Sequence, residues 1–217
     1  MLYKLQREDL KINKENLIDK LRISEDDMEE FLEFYNNCLD IACPKYLYEK
    51  KEITSIDESC VMIEKIPIKS IIATQKMTHT GYAYPYVVTC GKEIYDYTHG
   101  ISDPFVSYWA DTIMEQLLYL AIKKMNQDMK NEFKLEKTAS VNPGSTVDWH
   151  ISGQKELFSM FSDKIEETGI FLTSTFLMLP NKSASGIVFS TEEDYTNCQD
   201  CERKHCPNRR KENVKSI

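Results

Sequence analysis

The sequence predicts an α+β fold in which a few long helices pack against a mostly antiparallel sheet. Two observations carry most of this. Apolar residues recur at helical spacing over residues 28–42 and again from Val106 to Ala121. Short β-prone runs, above all Tyr82-Ala83-Tyr84-Pro85-Tyr86-Val87-Val88-Thr89-Cys90, are rich in β-branched and aromatic residues and end at a stop such as Gly91. Runs of both kinds in one chain, without repeats, read as helices laid on a sheet.

Taken in order, residues 13–22 read as a short helix with Asn13 as its N-cap. A second helix begins at Ser24, with Glu25, Asp26 and Asp27 at the positive end of its dipole. Met28, Phe31, Leu32, Tyr35, Leu39 and Ile41 form its apolar stripe to about Ala42. Cys38 and Cys43, near its end, read as small buried hydrophobes rather than ligands. Between residues 44 and 76 the β-prone runs are Cys60–Ile63 and Ile71–Thr74. Tyr82, Tyr84 and Tyr86 alternate along the strong strand, as cross-strand packing or as an aromatic face for a flat ligand.

Asp103-Pro104 is an N-cap acid followed by Pro at the first helical position, and it starts the longest helix, expected to reach about Met125. Asp111 and Glu115 stand four apart on one face of it, where like charges cost a little stability unless water or a cation compensates. Residues 126–138 are polar and lysine-rich, as in a connector. Asn142-Pro143-Gly144-Ser145 is a punctuated loop. Ser152 caps a helix with Leu157, Phe158, Phe161 and Ile165 inward, ended by Gly169. Ile170–Leu179 reads as a strand, Leu179–Gly186 as a second loop, and Ile187–Phe189 as a strand.

Composition bounds the function. The chain has 217 residues, 41% hydrophobic and 29% charged, which is ordinary for a globular protein. A formal net charge of −8 argues against nucleic acid as a partner. The N-terminus has charges every few residues and no apolar core of a signal peptide, and no run is apolar enough to span a membrane. Seven cysteines, an odd number, fit a reducing cytoplasm better than a disulfide framework. The expected organisation is one domain over residues 1–190 and a cysteine-rich tail over 191–217. His79, His99 and His150 have no spaced partners and read as hydrogen-bonded residues, with His150 placed to line a pocket beside the Pro-Gly loop. No P-loop, G-x-S-x-G or Rossmann fingerprint is present.

In the tail, Cys198, Cys201 and Cys206 fall within nine positions, and Cys206 is followed by Pro207. A C-x-x-C lets two thiolates reach one metal from a single turn. The spacing fits an iron–sulfur cluster with an outside or missing fourth ligand, and equally a zinc site with His205 as fourth ligand.

The segment Ser140–Phe189 resembles the S-adenosylmethionine-binding reactivation domain of cobalamin-dependent methionine synthase, and its short stand-alone relatives. Leu172-Thr173-Ser174-Thr175-Phe176-Leu177-Met178-Leu179-Pro180 matches that family's L-T-E-S-F-x-M-x-P without a gap, and Ser183-Ala184-Ser185-Gly186 matches its S-V-S-G. Pro143-Gly144 falls in its R-x-x-P-G-Y, and Ala110, Asp111 and Glu115 in its A-D-x-x-x-E helix. The resemblance covers residues 85–190. It implies a twisted antiparallel sheet and a ligand cleft where Asp111, Glu115, Asn142, Gly144, Ser145 and Ser185 converge between the long helix and the two loops. Glu115 then faces a cationic sulfonium ligand bearing an α-amino group. Three positions depart: the family's arginine, which would pair with the methionine carboxylate, is Ser140; its tyrosine is Ser145; its L-T-E-S glutamate is Ser174.

Three functions follow from these readings. One is an accessory protein of corrinoid-dependent methyl transfer, possible as a subunit of methionine synthase activity, helping to reactivate cobalamin on a corrinoid protein or a cobalamin-dependent methyltransferase subunit. The chain lacks the D-x-H-x-x-G cobalamin-ligand motif, so a partner would supply the corrinoid. The second is a module that recognises a corrinoid protein but no longer binds S-adenosylmethionine. The third is a small metal or redox protein acting through its cysteine tail.

Overall fold

A computed structural model of the chain describes residues 1–201, 203, 205 and 206. In chain order its elements are β1 (Leu2–Lys4), α1 (Lys14–Leu21), α2 (Met28–Ile41), β2 (Lys45–Tyr48), β3 (Lys51–Ile56), β4 (Cys60–Ile63), β5 (Ile66–Lys69), α3 (Ile71–Met77), β6 (Tyr82–Thr89), α4 (Lys92–Thr98), α5 (Pro104–Phe133), β7 (Thr138–Val141), α6 (Gln154–Ser159), β8 (Phe171–Leu172), β9 (Met178–Leu179) and β10 (Ser183–Ser190).

The β-branched, aromatic run of β6 becomes the centre of the sheet, and every strand pair is antiparallel. Along one edge β6 pairs with β10, from Thr89↔Ser183 to Ala83↔Phe189. Along the other it pairs first with β2 and then with β3, so the sheet curls there. β7 borders β10, β1 borders β2, and β4 and β5 extend from β3. Side chains alternate across the pleat. Tyr84, Tyr86, Val88 and Val188 enter one core with α1, α2 and α5. Ala83, Val87, Ile187 and Phe189 enter a second core with α3, α6 and Trp149. The α+β class and the antiparallel sheet are as the sequence predicts.

The capping signals place the helix starts. Asn13 Oδ1 accepts from the Asn16 N–H at 2.8 Å. Asp103 Oδ1 accepts from the Phe105 and Val106 N–H groups at 2.8 and 3.0 Å, ahead of Pro104. Ser24 instead closes a turn with Asp27, its hydroxyl donating at 2.6 Å, and α2 starts at Met28.

Four local expectations are corrected. Ile71–Thr74 is the start of helix α3, not a strand: Ser70 Oγ accepts from the Ala73 N–H at 2.9 Å, and Asp148, from a distant loop, takes the Ile72 N–H at 2.9 Å. Two filled cap sites outweigh the β-propensity of the isoleucines. Residues 126–133 are not a connector but the last turns of α5, because Met125, Met129 and Phe133 continue the buried stripe. The acids between them are used as well: Asp128 accepts from the Tyr46 hydroxyl, and Glu132 from the Tyr48 hydroxyl at 2.7 Å. The helix expected from Ser152 to Gly169 is broken into 3₁₀ turns at Ile151–Gly153 and Ser162–Thr168 around the short α6. Ile170–Leu179 is not one strand but a two-stranded ribbon, β8 with β9. Thr173 makes the turn, its carbonyl accepting from the Phe176 N–H at 3.0 Å and its hydroxyl from the Leu177 N–H at 3.1 Å.

Candidate functional site

Between α5 and the β7–β10–β6 part of the sheet lies a cavity of about 910 Å³. The sheet contributes Tyr86, Ser140, Ala184 and Val188; α5 contributes Tyr119, Ile122, Met125, Asn126 and Lys130; the chain after β10 closes it with Asp194, Tyr195, Thr196 and Asn197.

Asn142, at the end of β7, is its hub. Its Nδ2 donates to the Tyr86 hydroxyl at 2.8 Å and to the Ser185 carbonyl at 2.6 Å, and its Oδ1 accepts from Asn197 Nδ2 at 2.5 Å. One side chain therefore ties together β6, β10 and the segment that follows β10. Gly186 makes room for it: a Cβ there would lie 2.2 Å from Asn142 Nδ2 and 2.8 Å from the Val141 carbonyl oxygen. The tail segment is held elsewhere too. Tyr195 is buried, and Lys76 pairs with Glu193 at 2.6 Å. Burial pushes the Tyr195 hydroxyl well above its ordinary pKa.

Of the six residues the resemblance brings to a cleft, Asn142 lines this cavity. Gly144 takes φ 77° in the adjoining turn, where its N–H donates to the Trp149 carbonyl at 2.7 Å and that of Ser145 to the Asn142 carbonyl at 3.1 Å. Ser185 is buried and donates to Gln154 Oε1 of α6 at 2.8 Å. The alternation of β10 sends it to the face opposite Ala184, which lines the cavity. Asp111 pairs with Lys182 at 2.9 Å, and Glu115 with Lys20 at 2.8 Å. The Lys20 hydrogen bond holds the Glu115 carboxyl below the usual carboxylate range. Glu115 also accepts from the Tyr119 hydroxyl at 3.3 Å, so Tyr119 links this charged ridge to the cavity wall. Neither Asp111 nor Glu115 lines the cavity itself.

Lys130, Asn126 and residues 194–197 carry no motif and escape a reading by sequence. For Tyr86 the signal was its alternation with Tyr82 and Tyr84. That aromatic face is divided in the fold: Tyr82 lies under Lys50, Tyr84 packs on Phe133 at 4.9 Å, and only Tyr86 reaches the cavity. His150 is exposed and accepts from the Ser152 N–H at 3.2 Å, as the cap of a 3₁₀ turn.

Among the described residues no group of three or more His, Cys, Asp or Glu side chains is gathered so as to hold a metal ion. Cys198 follows Asn197 directly, and Cys198, Cys201 and Cys206 are half-buried. Pro207 and the remainder of the tail lie outside the described residues. No helix among the described residues is long and apolar enough to cross a membrane.

These features define an α+β protein with a ligand-sized cavity between its longest helix and an antiparallel sheet. No family model matches the sequence, and no curated protein matches it. Among solved structures the fold is similar to that of the MetH reactivation domain bound to AdoHcy. The TM-score is 0.61 at 12% sequence identity, over 90% of this chain and 79% of that one. At this identity the likeness is one of fold.

Proposed function

We propose that this chain is an accessory protein of corrinoid-dependent methyl transfer, aiding the reductive reactivation of cobalamin held by a partner methyltransferase or methionine synthase. The observation that carries the reading is the fold likeness over 90% of the chain. It is supported by the order of the matched residues, since Pro143-Gly144, Leu172–Pro180 and Ser183–Gly186 fall on the loop after β7, on the β8–β9 ribbon and on β10. The cavity of about 910 Å³ is of the size that takes a nucleoside joined to an amino acid, as in S-adenosylmethionine. Tyrosine rings offer it stacking surfaces, and Asn126, Asn142 and Asn197 offer both donors and acceptors. The test mixes the protein with an oxidised corrinoid protein, a reductant and S-adenosylmethionine, and follows the corrinoid absorbance. Faster reduction and methylation than without the protein is the expected result. No acceleration, together with no heat of binding for S-adenosylmethionine, would refute it.

A second reading has its own support. The carboxylates of Asp111 and Glu115 are already paired with Lys182 and Lys20, and Ser140 and Ser145 bring neither cation nor ring. On that reading the chain docks to a corrinoid protein without using S-adenosylmethionine, and a pull-down of the corrinoid protein with silent calorimetry would select it.

A further inference from the structure

The last turns of α5 sort their charges by side. Asp128 and Glu132 face β2, where the hydroxyls of Tyr46 and Tyr48 donate to them, and Asp128 is also the i+4 partner of Lys124 at 2.7 Å. Lys130 lies between those acids in sequence and projects to the other side, into the wall of the cavity. Its helical neighbours at i−4, i−3, i+3 and i+4 are Asn126, Gln127, Phe133 and Lys134, so its own helix offers no carboxylate at pairing distance. Among the described residues it forms no ion pair, whereas Lys20, Lys76, Lys124 and Lys182 each do. It is also the one cation among the described residues lining the cavity.

We propose that Lys130 is the specificity-determining residue of the cavity, pairing with the carboxylate of a ligand whose ring lies against the tyrosine walls. The inference rests on the proposed reading that the cavity takes an S-adenosyl compound. An ammonium on a flexible stem in the cavity wall suits such a group, because it approaches as a point charge and needs no fixed planar geometry.

The test is calorimetry with two ligands on three proteins. S-adenosylhomocysteine carries the amino-acid group; 5′-methylthioadenosine keeps the ring and sulfur and lacks it. Lys130→Gln should weaken S-adenosylhomocysteine up to about fivefold, the scale of one exposed charged pair. It should leave 5′-methylthioadenosine unchanged, and Lys130→Arg should restore the difference between the two ligands. Equal affinity for S-adenosylhomocysteine in Lys130→Gln and the unmodified protein overturns the role of Lys130 and leaves the cavity's ligand class standing. An equal loss for both ligands overturns it as well, since it marks damage to the cavity rather than loss of a charge. Absence of S-adenosylhomocysteine binding in the unmodified protein removes the underlying reading and the inference with it.

Discussion

Gly186→Ala tests how tightly the site is built into the sheet. Gly186 lies in β10 opposite Tyr86 of β6, one residue before the Ile187↔Val141 pair with β7. An added Cβ would stand 2.2 Å from Asn142 Nδ2 and 2.8 Å from the Val141 oxygen, and real Cβ contacts essentially never fall below 3.0 Å. The amide can swing away only by giving up its bonds to the Tyr86 hydroxyl and the Ser185 carbonyl. The carbonyl can retreat only by opening the β7–β10 ladder. Overpacking of this kind costs about 1–3 kcal/mol, and two lost hydrogen bonds add roughly 1 kcal/mol each. The expected destabilisation is therefore about 3–5 kcal/mol, which for a chain of this size lowers Tm by roughly 6–20 °C. Thermal and urea unfolding measure it. Asn142→Ala separates the two contributions: it should be costly alone and much less so on top of Gly186→Ala, because the amide's bonds are already gone. A Tm within about 2 °C of the unmodified protein, or strictly additive effects, would refute the reasoning.

Three further outcomes are expected. Burial alone would raise the Asp148 carboxyl, but the hydrogen bonds from the Ile72 N–H and the Ser70 hydroxyl outweigh it and hold the group below the usual carboxylate range. A depressed folded-state pKa stabilises above the unfolded value and is lost as pH falls through the folded one, so Asp148→Asn should flatten the fall in urea midpoint below about pH 4. Ser140→Arg with Ser145→Tyr should tighten S-adenosylhomocysteine binding by about tenfold in calorimetry, since Ser140 lines the cavity. Cys198, Cys201 and Cys206 are not gathered on one centre among the described residues; if their spacing nevertheless closes on a metal, protein purified without oxygen should hold one centre per chain, brown for an iron–sulfur cluster and colourless for zinc, and lose it in Cys201→Ser, whereas alkylation of all three with no bound metal dismisses the site.

What the sequence discloses is what its local physics decides. Asp103-Pro104 and Asn13 announce their helices because a cap is a contact between near neighbours. The β6 run announces a central strand because it is buried on both faces. Ile71–Thr74 misleads because its helix is capped in part by Asp148, which is 76 residues away from the Ile72 N–H it receives. Residues 126–133 mislead because their polar side chains answer Tyr46 and Tyr48, on a strand some eighty positions earlier. The candidate site divides in the same way. Asn142 and Gly186 lie in punctuated or small-residue stretches that draw attention on their own. Lys130 and Asp194 lie in ordinary polar sequence and become neighbours of one cavity only because α5 continues past Met125 and the chain after β10 folds back under Asn142. Of the matched motifs only Ser140, Asn142 and Ala184 line the cavity, whereas its charged side chains come from segments outside them. A fold can therefore be shared at 12% identity while the residues that line its cavity are this chain's own, and comparing two ligands on Lys130 variants tests those residues more directly than restoring the family's missing arginine.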